Sequence, residues 1–341
     1  MTAGARLATK TPRPGRPAAS SIGASMRPLL IVNPRSSGGK TGRLFDEMLT
    51  PIRRILGDVD IVRTDRPRHA VDLAREAALG GRETVVAVGG DGSISEVVNG
   101  LMQARDRGAT GTRLGIIGAG TGSDLCKTLK LTRRLDNFCT AIASGHTRQI
   151  DVGRLSYETR DGQRADAFFV NILSTGMSGI VVSLVNESSR VLGNTLAYTL
   201  ASLQGLVRSR VGRVRCVTTL RGERREEEIS TRMLGICNGR FFGAGMQLAP
   251  MAKLDDGVFD VIDLGAAPHL RFAAVSTGMY TGSHIRHPDV RHFQCDSIEL
   301  TLLNRDVEQA FFLDVDGEPL GKLPITVTLE PKAIEVLAPV D

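Results

Sequence analysis

Three glycine-rich loops contain the residues whose types and spacing are best suited to chemistry. They are residues 33–40 (NPRSSGGK), 89–93 (GGDGS) and 118–124 (GAGTGSD). Glycines let backbone N–H groups approach an anion closely, and the start of a following helix adds a partial positive charge. Any one of these loops is as easily a simple turn between a strand and a helix. Three of them in succession favour phosphate binding.

Two common phosphate-binding patterns are absent from these loops. A Walker A loop ending in Gly39-Lys40-Thr41 would need glycine at position 34, which is proline. A dinucleotide-binding pattern starting at Gly118 would need glycine or alanine at position 123, which is serine. Ordinary P-loop enzymes and nicotinamide-dependent dehydrogenases are therefore disfavoured.

A carboxylate, Asp91, stands inside the central loop. It would repel a bound phosphate unless a divalent cation such as Mg²⁺ lay between them. The sequence therefore points to metal-assisted phosphoryl transfer.

Three more carboxylates, Asp314, Asp316 and Glu318, alternate around Gly317 after an apolar run. Asp-Gly is a frequent turn dipeptide, so a plain solvated turn explains the pattern equally well. An EF-hand is excluded, because its glycine would stand two positions further into the loop. Phosphoryl transfer to a hydroxyl needs a carboxylate that accepts the proton of that hydroxyl.

The elements that must position these loops follow from the pattern of residues 26–150. Short apolar runs alternate with amphipathic stretches, which predicts a parallel sheet covered by helices on both faces. The predicted strands are Leu29–Val32, Val59–Val62, Val85–Val88 and Leu114–Ile117. The predicted helices are Leu44–Leu56, Ala70–Leu79, Ile94–Met102 and a helical stretch that runs on to Ala143. In such sheets, ligands bind at the carboxyl ends of the strands, where the three loops stand.

After Asp151 the pattern changes to strand-like alternation, which predicts a second, mainly antiparallel β-sandwich domain over residues 151–341. The predicted strands are Ala167–Leu173, Val214–Leu220, Ile229–Cys237, Val258–Leu264, Ser297–Leu303 and Ala310–Val315. Helical candidates lie at Ser178–Val185 and Thr195–Val207. The C-terminal segment could pack back on the first domain. Residues 1–25, basic and without apolar periodicity, are expected to be a disordered tail.

Composition limits the possible functions. The formal net charge is +6, but four basic residues lie in the acid-free first 25 positions, so the rest of the chain is nearly neutral. With no Trp and 4% aromatic residues, the chain lacks the basic field and stacking surfaces typical of nucleic-acid binders. Its five widely spaced cysteines fit reduced core thiols and a cytoplasmic location. The apolar stretch 191–207 is too short and too polar to span a membrane.

An ordered series of motifs resembles the diacylglycerol kinase catalytic domain family of bacterial lipid kinases, relatives of sphingosine and ceramide kinases. The series is Asn33-Pro34, residues 88–101 (VGGDGSISEVVNGL), 120–125 (GTGSDL), 151–153 (DVG), 169–171 (FVN), 253–257 (KLDDG), 316–318 (DGE) and 331–336 (PKAIEV). NAD kinases share a bare GGDG but do not account for the later elements in this order. The resemblance implies a Rossmann-like, NAD kinase-like nucleotide-binding domain over residues 26–150, a lipid-acceptor domain over 151–341, and the use of ATP and Mg²⁺.

The resemblance also implies roles for particular residues. The residues implied to line the ATP site are Asn33, Pro34, Arg35, Ser36, Ser37, Thr64, Gly89, Gly90, Asp91, Gly92, Ser93, Glu96 and Thr121. Glu318 takes the role of proton acceptor, with Asp316 and Asp91 in the magnesium and phosphate network. Ser93, Gly118 and Ser123 depart from the usual threonine, proline and asparagine of the family.

A structural Mg²⁺ is implied at the turn 253–258, through the Asp256 carboxylate and the carbonyls of Lys253 and Val258. A simple hairpin turn is the alternative there. His284, His287 and His292 are better explained as surface or loop histidines than as a zinc site.

Three hypotheses concern the function as a whole. The first is an ATP-dependent lipid kinase whose default acceptor is diacylglycerol; the others are an NAD kinase-like enzyme and a catalytically weak nucleotide-binding regulatory protein. A run of arginines between Arg208 and Arg225 is usually a solvated face, but beside an apolar helix it could hold a lipid enzyme at an anionic membrane surface. A homodimer is possible.

Overall fold

The computed structural model describes residues 25–118, 124–132, 134–181, 204–205, 207–243 and 245–339 of the chain. The first domain contains a parallel sheet in the order β4-β3-β1-β2. Its strands are β1 (Leu29–Val32), β2 (Asp60–Arg63), β3 (Thr84–Gly89) and β4 (Arg113–Gly118). The apolar side chains of β1 and β3 are buried because helices cover both faces of the sheet.

Five helices accompany these strands in the described residues. They are α1 (Lys40–Leu56), α2 (His69–Leu79), α3 (Asp91–Arg105), α4 (Asp124–Thr128) and α5 (Leu135–Ser144). The prediction of one helical stretch up to Ala143 is wrong, because α4 ends after a turn and a half. Lys130 adopts a left-handed φ of 56°, and the Leu131 N–H donates to the Cys126 carbonyl at 2.8 Å. That bond is typical of a helix C-terminus.

The second domain is built from antiparallel strands. They are β5 (Thr147–Thr159), β6 (Arg164–Phe169), β7 (Ile172–Gly176), β8 (Gly212–Leu220), β9 (Glu223–Thr231), β10 (Met233–Cys237), β11 (Phe241–Phe242), β12 (Met246–Gln247), β13 (Phe259–Asp263), β14 (Arg291–Cys295), β15 (Ser297–Leu302), β16 (Phe312–Val315) and β17 (Glu318–Leu337). A helix of this domain, α6 (His269–Gly278), packs Phe272 and Val275 into the core. The predicted fold class, a parallel α/β domain followed by an antiparallel β domain, is confirmed.

Two predicted strands are each divided in the structure. Ala167–Leu173 becomes β6 and β7, because the N–H groups of Val170 and Asn171 donate to the Asp316 carboxylate instead of to a neighbouring strand. Ile229–Cys237 becomes β9 and β10, which pair with different strands: β9 with β8, and β10 with β7 and β13. Of the two predicted helices after β7, residues 177–181 are helical, and residues 182–203 lie outside the described part of the chain.

The last strand, β17, joins the two domains. Along its 20 residues it pairs with β16, β15 and β5, and at Val336 it pairs in parallel with Leu114 of β4. Ile334, Val336 and Leu337 are packed in the core of the first domain, whereas Ile325 and Val327 are packed in that of the second. The sequence analysis missed this strand and the 13-residue strand β5.

Asn99 also connects the domains. From α3 its Nδ2 donates to the carbonyl of Phe168 in β6 at 2.9 Å, and its Oδ1 accepts the Phe168 N–H at 2.9 Å. The Asn99 side chain and its partner residue Phe168 are both buried. Asn99 thus takes the place of a neighbouring strand for one residue of β6.

We expect Asn99→Ala to lower the free energy of unfolding by about 2–4 kcal/mol, because both buried backbone groups of Phe168 lose their partner. Urea titration of the two proteins measures the difference. Gln103→Ala on the same helix is the control; Gln103 bonds only partly buried Arg75, so a loss below about 1 kcal/mol is expected. Equal losses in the two variants would contradict the role given to Asn99.

Candidate active site

The first glycine-rich loop follows β1 and leads into α1. The backbone of Ser37, Gly38 and Gly39 is left-handed, with φ of 55°, 64° and 82°. Among the described side chains none caps the start of α1. The N–H groups of Gly39, Lys40 and Gly42 donate to backbone carbonyls of the loop itself, so the feature that suits an anion here is the positive end of the dipole of the 17-residue helix α1.

The central loop is fastened to the first. Asn33 Nδ2 donates to Ser93 Oγ at 3.1 Å, and Asn33 Oδ1 accepts the Arg35 N–H at 3.0 Å. A side chain at Gly89 would collide with the Ser93 hydroxyl, so glycine is required where β3 ends. α3 begins at Asp91, directly after Gly90. The two loops therefore form one continuous surface at the carboxyl ends of β1 and β3, where the sequence placed them.

The third loop is described only from its last residue. Thr121 lies outside the described residues, but the Asp124 N–H donates to Asp91 Oδ1 at 2.9 Å. Asp124 in turn accepts from Lys127 Nζ at 2.7 Å. The sequence analysis gave no role to Lys127, although its spacing of three residues from Asp124 on a helix predicts their contact. The start of α4 is thus joined to the carboxylate of the central loop.

Asp316 organises the backbone opposite these loops. One carboxylate oxygen accepts the N–H groups of Asn171 and Ile172, and the other accepts that of Val170, each at 3.0 Å. Burial raises the pKa of Asp316 to about 6, against the effect of these three bonds. The negative charge of Asp91 raises the pKa of Asp316 further. Both carboxylate oxygens of Asp316 accept backbone N–H groups, so the role that the structure shows for Asp316 is to position the backbone of residues 170–172.

Glu318, the first residue of β17, lies against the central loop. A Cβ atom added to Gly92 would be 2.5 Å from Glu318 Oε1, so only glycine allows this approach. The Glu318 side chain is exposed to solvent in the space between the central loop and the start of β17, which is called here the cleft. Desolvation of its carboxylate by nearby protein atoms nevertheless raises its pKa, and the charge of Glu96 raises it further. A carboxylate with a raised pKa is a better proton acceptor than an ordinary glutamate.

A cavity of about 170 Å³ opens beside Glu318, between α3 and β6. Its walls include apolar groups of Val71, Phe168, Val315 and Leu320. Glu96, an expected ATP residue, also lines it, but the Glu96 carboxylate accepts the N–H groups of Arg68 and Ala70 at 3.1 Å and so caps α2. Thr64 is fixed at the end of β2 by its N–H bond to the Val32 carbonyl.

Asp314, the remaining carboxylate of the motif, is buried. Its Oδ1 accepts the Gly317 N–H at 3.0 Å and so closes the turn that presents Asp316 and Glu318. Burial, assisted by the charges of Asp316 and Glu318, raises the pKa of Asp314 to about 8. Asp314 is therefore mainly protonated at neutral pH.

This protonation makes stability depend on pH. An unfolded aspartate ionises near pH 3.8 and folded Asp314 near pH 8, so the folded chain holds the extra proton between these values. The stabilisation is complete below pH 3.8 and is lost as the pH rises through about 8. We expect the advantage of the wild type over Asp314→Asn to fall by at most about 1.4 kcal/mol per pH unit across this window. Urea unfolding at several pH values measures it, and parallel pH profiles would refute the assignment.

The turn implied to hold a structural cation contains Asp256, whose Oδ1 is 3.4 Å from the Val258 N–H. Desolvation, Asp260 and Asp151 raise the pKa of Asp256. The nearby carboxylates make this turn negative, and the implied donors, the Asp256 carboxylate and the carbonyls of Lys253 and Val258, are all oxygen atoms. Both features suit a hard divalent cation. In the described part of the chain no three His, Cys, Asp or Glu residues form a metal-binding group, so such a cation would need backbone oxygens and water.

The three histidines noted in the sequence do not come together. His284 lies in the loop that follows α6, which agrees with the prediction of a surface or loop residue, but its side chain is buried, with Nε2 2.9 Å from the Leu248 carbonyl. His292 contacts Asp260, and His287 contacts Asp289. The five cysteines are buried, and none of them forms a disulfide. No helix in the described ranges is both long and apolar enough to cross a membrane.

Comparison with known proteins gives an independent view of this arrangement. Residues 27–155 match the model of the diacylglycerol kinase catalytic domain, and residues 171–338 match the YegS C-terminal NAD kinase beta sandwich-like domain. The chain is 27% identical over 313 residues to a diacylglycerol kinase of Staphylococcus haemolyticus, covering 92% of this chain and 88% of that protein. It is 27% identical over 319 residues to a diacylglycerol kinase of Staphylococcus epidermidis, covering 92% and 93%.

A solved structure of a diacylglycerol kinase from Bacillus anthracis strain Sterne shares the fold. It superposes with a TM-score of 0.64 at 20% identity, and the match covers 92% of this chain and 97% of that one. The two domain models follow one another in the order of the two observed domains, and the residues that meet in the cleft belong to both. The first domain thus belongs to the diacylglycerol kinase catalytic domain family, and the second domain belongs to the family of the YegS C-terminal NAD kinase beta sandwich-like domain.

Proposed function

We propose that this protein transfers the γ-phosphoryl group of ATP to the hydroxyl of a lipid, with diacylglycerol as acceptor and phosphatidic acid as product. The observation that carries the proposal is the contact of the Glu318 carboxylate with Gly92. It brings a carboxylate of raised pKa against the loop best suited to hold phosphate. The family membership supports a kinase that acts on an alcohol.

The proposed binding of ATP uses the backbone of the two joined loops. The starts of α1 and α3 face the phosphates, and the positive ends of the two helix dipoles favour their negative charge. Mg²⁺ enters with ATP as part of the substrate and offsets the repulsion between phosphate and Asp91. The uncapped first turn of α1 is consistent with this role.

The proposed chemical step is proton removal by Glu318. The lipid hydroxyl occupies the space beside Glu318, donates its proton to that carboxylate and attacks the γ-phosphorus, while ADP leaves. Asp316 acts indirectly, because it fixes the backbone at residues 170–172 and the turn from which Glu318 projects. The apolar wall formed by Phe168, Val315 and Leu320 suits an acceptor that is itself apolar.

A transfer assay tests the proposal. The protein is incubated with γ-labelled ATP, Mg²⁺ and detergent-dispersed diacylglycerol, and the products are partitioned against chloroform. Label in the organic phase supports the proposal, provided it is absent when lipid is omitted. Label transferred to NAD in a parallel reaction would favour the NAD kinase-like alternative, and nucleotide binding without transfer would favour a regulatory protein.

A further inference from the structure

A group of exposed apolar and basic side chains lies on the surface of the second domain. It consists of Val207, Arg208 and Arg210 together with Leu270 and Arg271 of α6, and is called here the 207/270 patch. Val207 is 66% exposed and Leu270 is 87% exposed. Single exposed apolar residues are common, but apolar residues grouped with arginines mark surfaces that meet a partner.

Arg232 ties the two segments of the patch together. Its Nη1 donates to the Ser209 carbonyl at 3.2 Å and lies 3.4 Å from His269 Nε2, and its Nε donates to the Ala267 carbonyl at 2.7 Å. Arg232 is 7% exposed, so this connection is internal. The residues before β8 and the first turn of α6 are therefore held on one face.

The patch concentrates positive charge. None of the ion pairs found in the described residues includes Arg208, Arg210 or Arg232. Burial and the nearby Arg210 both lower the pKa of Arg232. The first turn of α6 has no acidic residue and carries His269 and Arg271 at the positive end of the helix dipole. Apart from the pair between Arg271 and Asp289 at 3.6 Å, the arginines of the patch have no acidic partner within the described chain, which favours an anionic partner outside it.

Other arginines of the run between Arg208 and Arg225 form ion pairs with glutamates. On β8, Arg213 pairs with Glu228 at 2.6 Å, and Arg215 pairs with Glu226 at 2.7 Å, both across to β9. Arg224 and Arg225 also lie within 3.7 Å and 3.6 Å of glutamates. The run therefore separates into a charge-paired hairpin and the 207/270 patch.

We propose that the 207/270 patch docks on the surface of a bilayer that contains anionic phospholipids. Val207 and Leu270 enter the boundary between headgroups and acyl chains, and the arginines lie against lipid phosphates. The proposal deepens the proposed function and rests on it, because a kinase of diacylglycerol must meet its substrate at a membrane. A protein partner would need a complementary face of about 800 Å², whereas these few side chains suffice for headgroup contact.

Co-sedimentation with vesicles tests the proposal. The vesicles contain phosphatidylcholine with a minor fraction of phosphatidylglycerol. Each lost arginine should weaken partition about fivefold, so Arg208→Gln combined with Arg210→Gln should weaken it about 25-fold. Leu270→Ser should also weaken it, and added salt should reduce binding of the wild type.

The matched control is Arg224→Gln combined with Arg225→Gln. It changes the net charge equally, but these residues lie at the far end of the β8–β9 hairpin, about 25 Å away along the strands. We expect the control to bind nearly as the wild type does. Equal losses in the two double variants would overturn the proposal, because binding would then follow net charge alone.

Two further outcomes would also overturn it. One is a wild-type chain that does not sediment with the anionic vesicles. The other is a dimer in analytical ultracentrifugation that Leu270→Ser dissociates while vesicle binding stays unchanged, which would make the patch a contact between two copies. Transfer of label to a short-chain diacylglycerol in detergent micelles is measured alongside; it tests the kinase function without a bilayer, so the two failures are distinguishable.

Discussion

Glu318→Gln should lower kcat about 10²–10⁴-fold and leave the KM for ATP nearly unchanged. The amide has the size of the carboxylate and can keep the packing against Gly92, but it cannot accept the proton of the acceptor hydroxyl. Because burial and Glu96 raise the pKa of Glu318, the wild-type kcat should fall as the pH is lowered through that pKa. Steady-state assays with labelled ATP over a pH series measure both effects.

The control for this prediction is Glu335→Gln on the same strand. Glu335 lies near the other end of β17, among the residues around a separate cavity of about 280 Å³. The chemical change is identical and the position is remote from the cleft, so full activity is expected. If Glu318→Gln retained the kcat of this control, another group would have to accept the proton.

Asp316→Asn should lower both stability and activity. Asparagine tolerates the left-handed φ of 51° at this position, so the substitution tests the carboxylate rather than the backbone. An NH₂ group in place of one oxygen faces the N–H of Val170, or those of Asn171 and Ile172, and cannot accept from them. We expect a loss of about 2–4 kcal/mol in the free energy of unfolding.

Activity should fall at least about 10²-fold in the same variant, because the turn that presents Glu318 loses its anchor. Urea unfolding and kcat, measured at a temperature where the variant stays folded, separate the two effects. Asp161→Asn, an exposed turn carboxylate, should change stability by less than about 0.5 kcal/mol. Normal stability and activity of Asp316→Asn would show that the three N–H bonds do not organise the site.

The sequence predicted the first domain well, because its signals are local. Strands buried on both faces appear as continuous apolar runs, as in Leu29–Val32, and Gly90-Asp91-Gly92 marks a strand end followed by a helix. The approach of Glu318 to that turn was implied by the family resemblance alone. The two motifs are more than 200 residues apart in the sequence, and a local sequence pattern cannot predict a contact between residues so far apart.

The second domain was predicted less completely, for two physical reasons. The break between β6 and β7 is caused by Asp316, a residue far along the chain, so it has no local signal. The first six residues of β9 are exposed and charged, so they show no apolar alternation although they pair fully with β8. Asn99 was likewise missed as a connection, because nothing in its own helix shows that a strand of the other domain will need its amide.

The course of β17 bears on how the protein is made. Leu114 of the first sheet pairs with Val336, which lies more than 200 residues further along the chain. A nascent chain that has emerged only as far as β5 would present β4 as an open edge and the niche for Ile334 and Leu337 as uncovered apolar surface. The first domain therefore cannot complete its sheet and core until β17 has been synthesised, and chaperones would be expected to hold it until then.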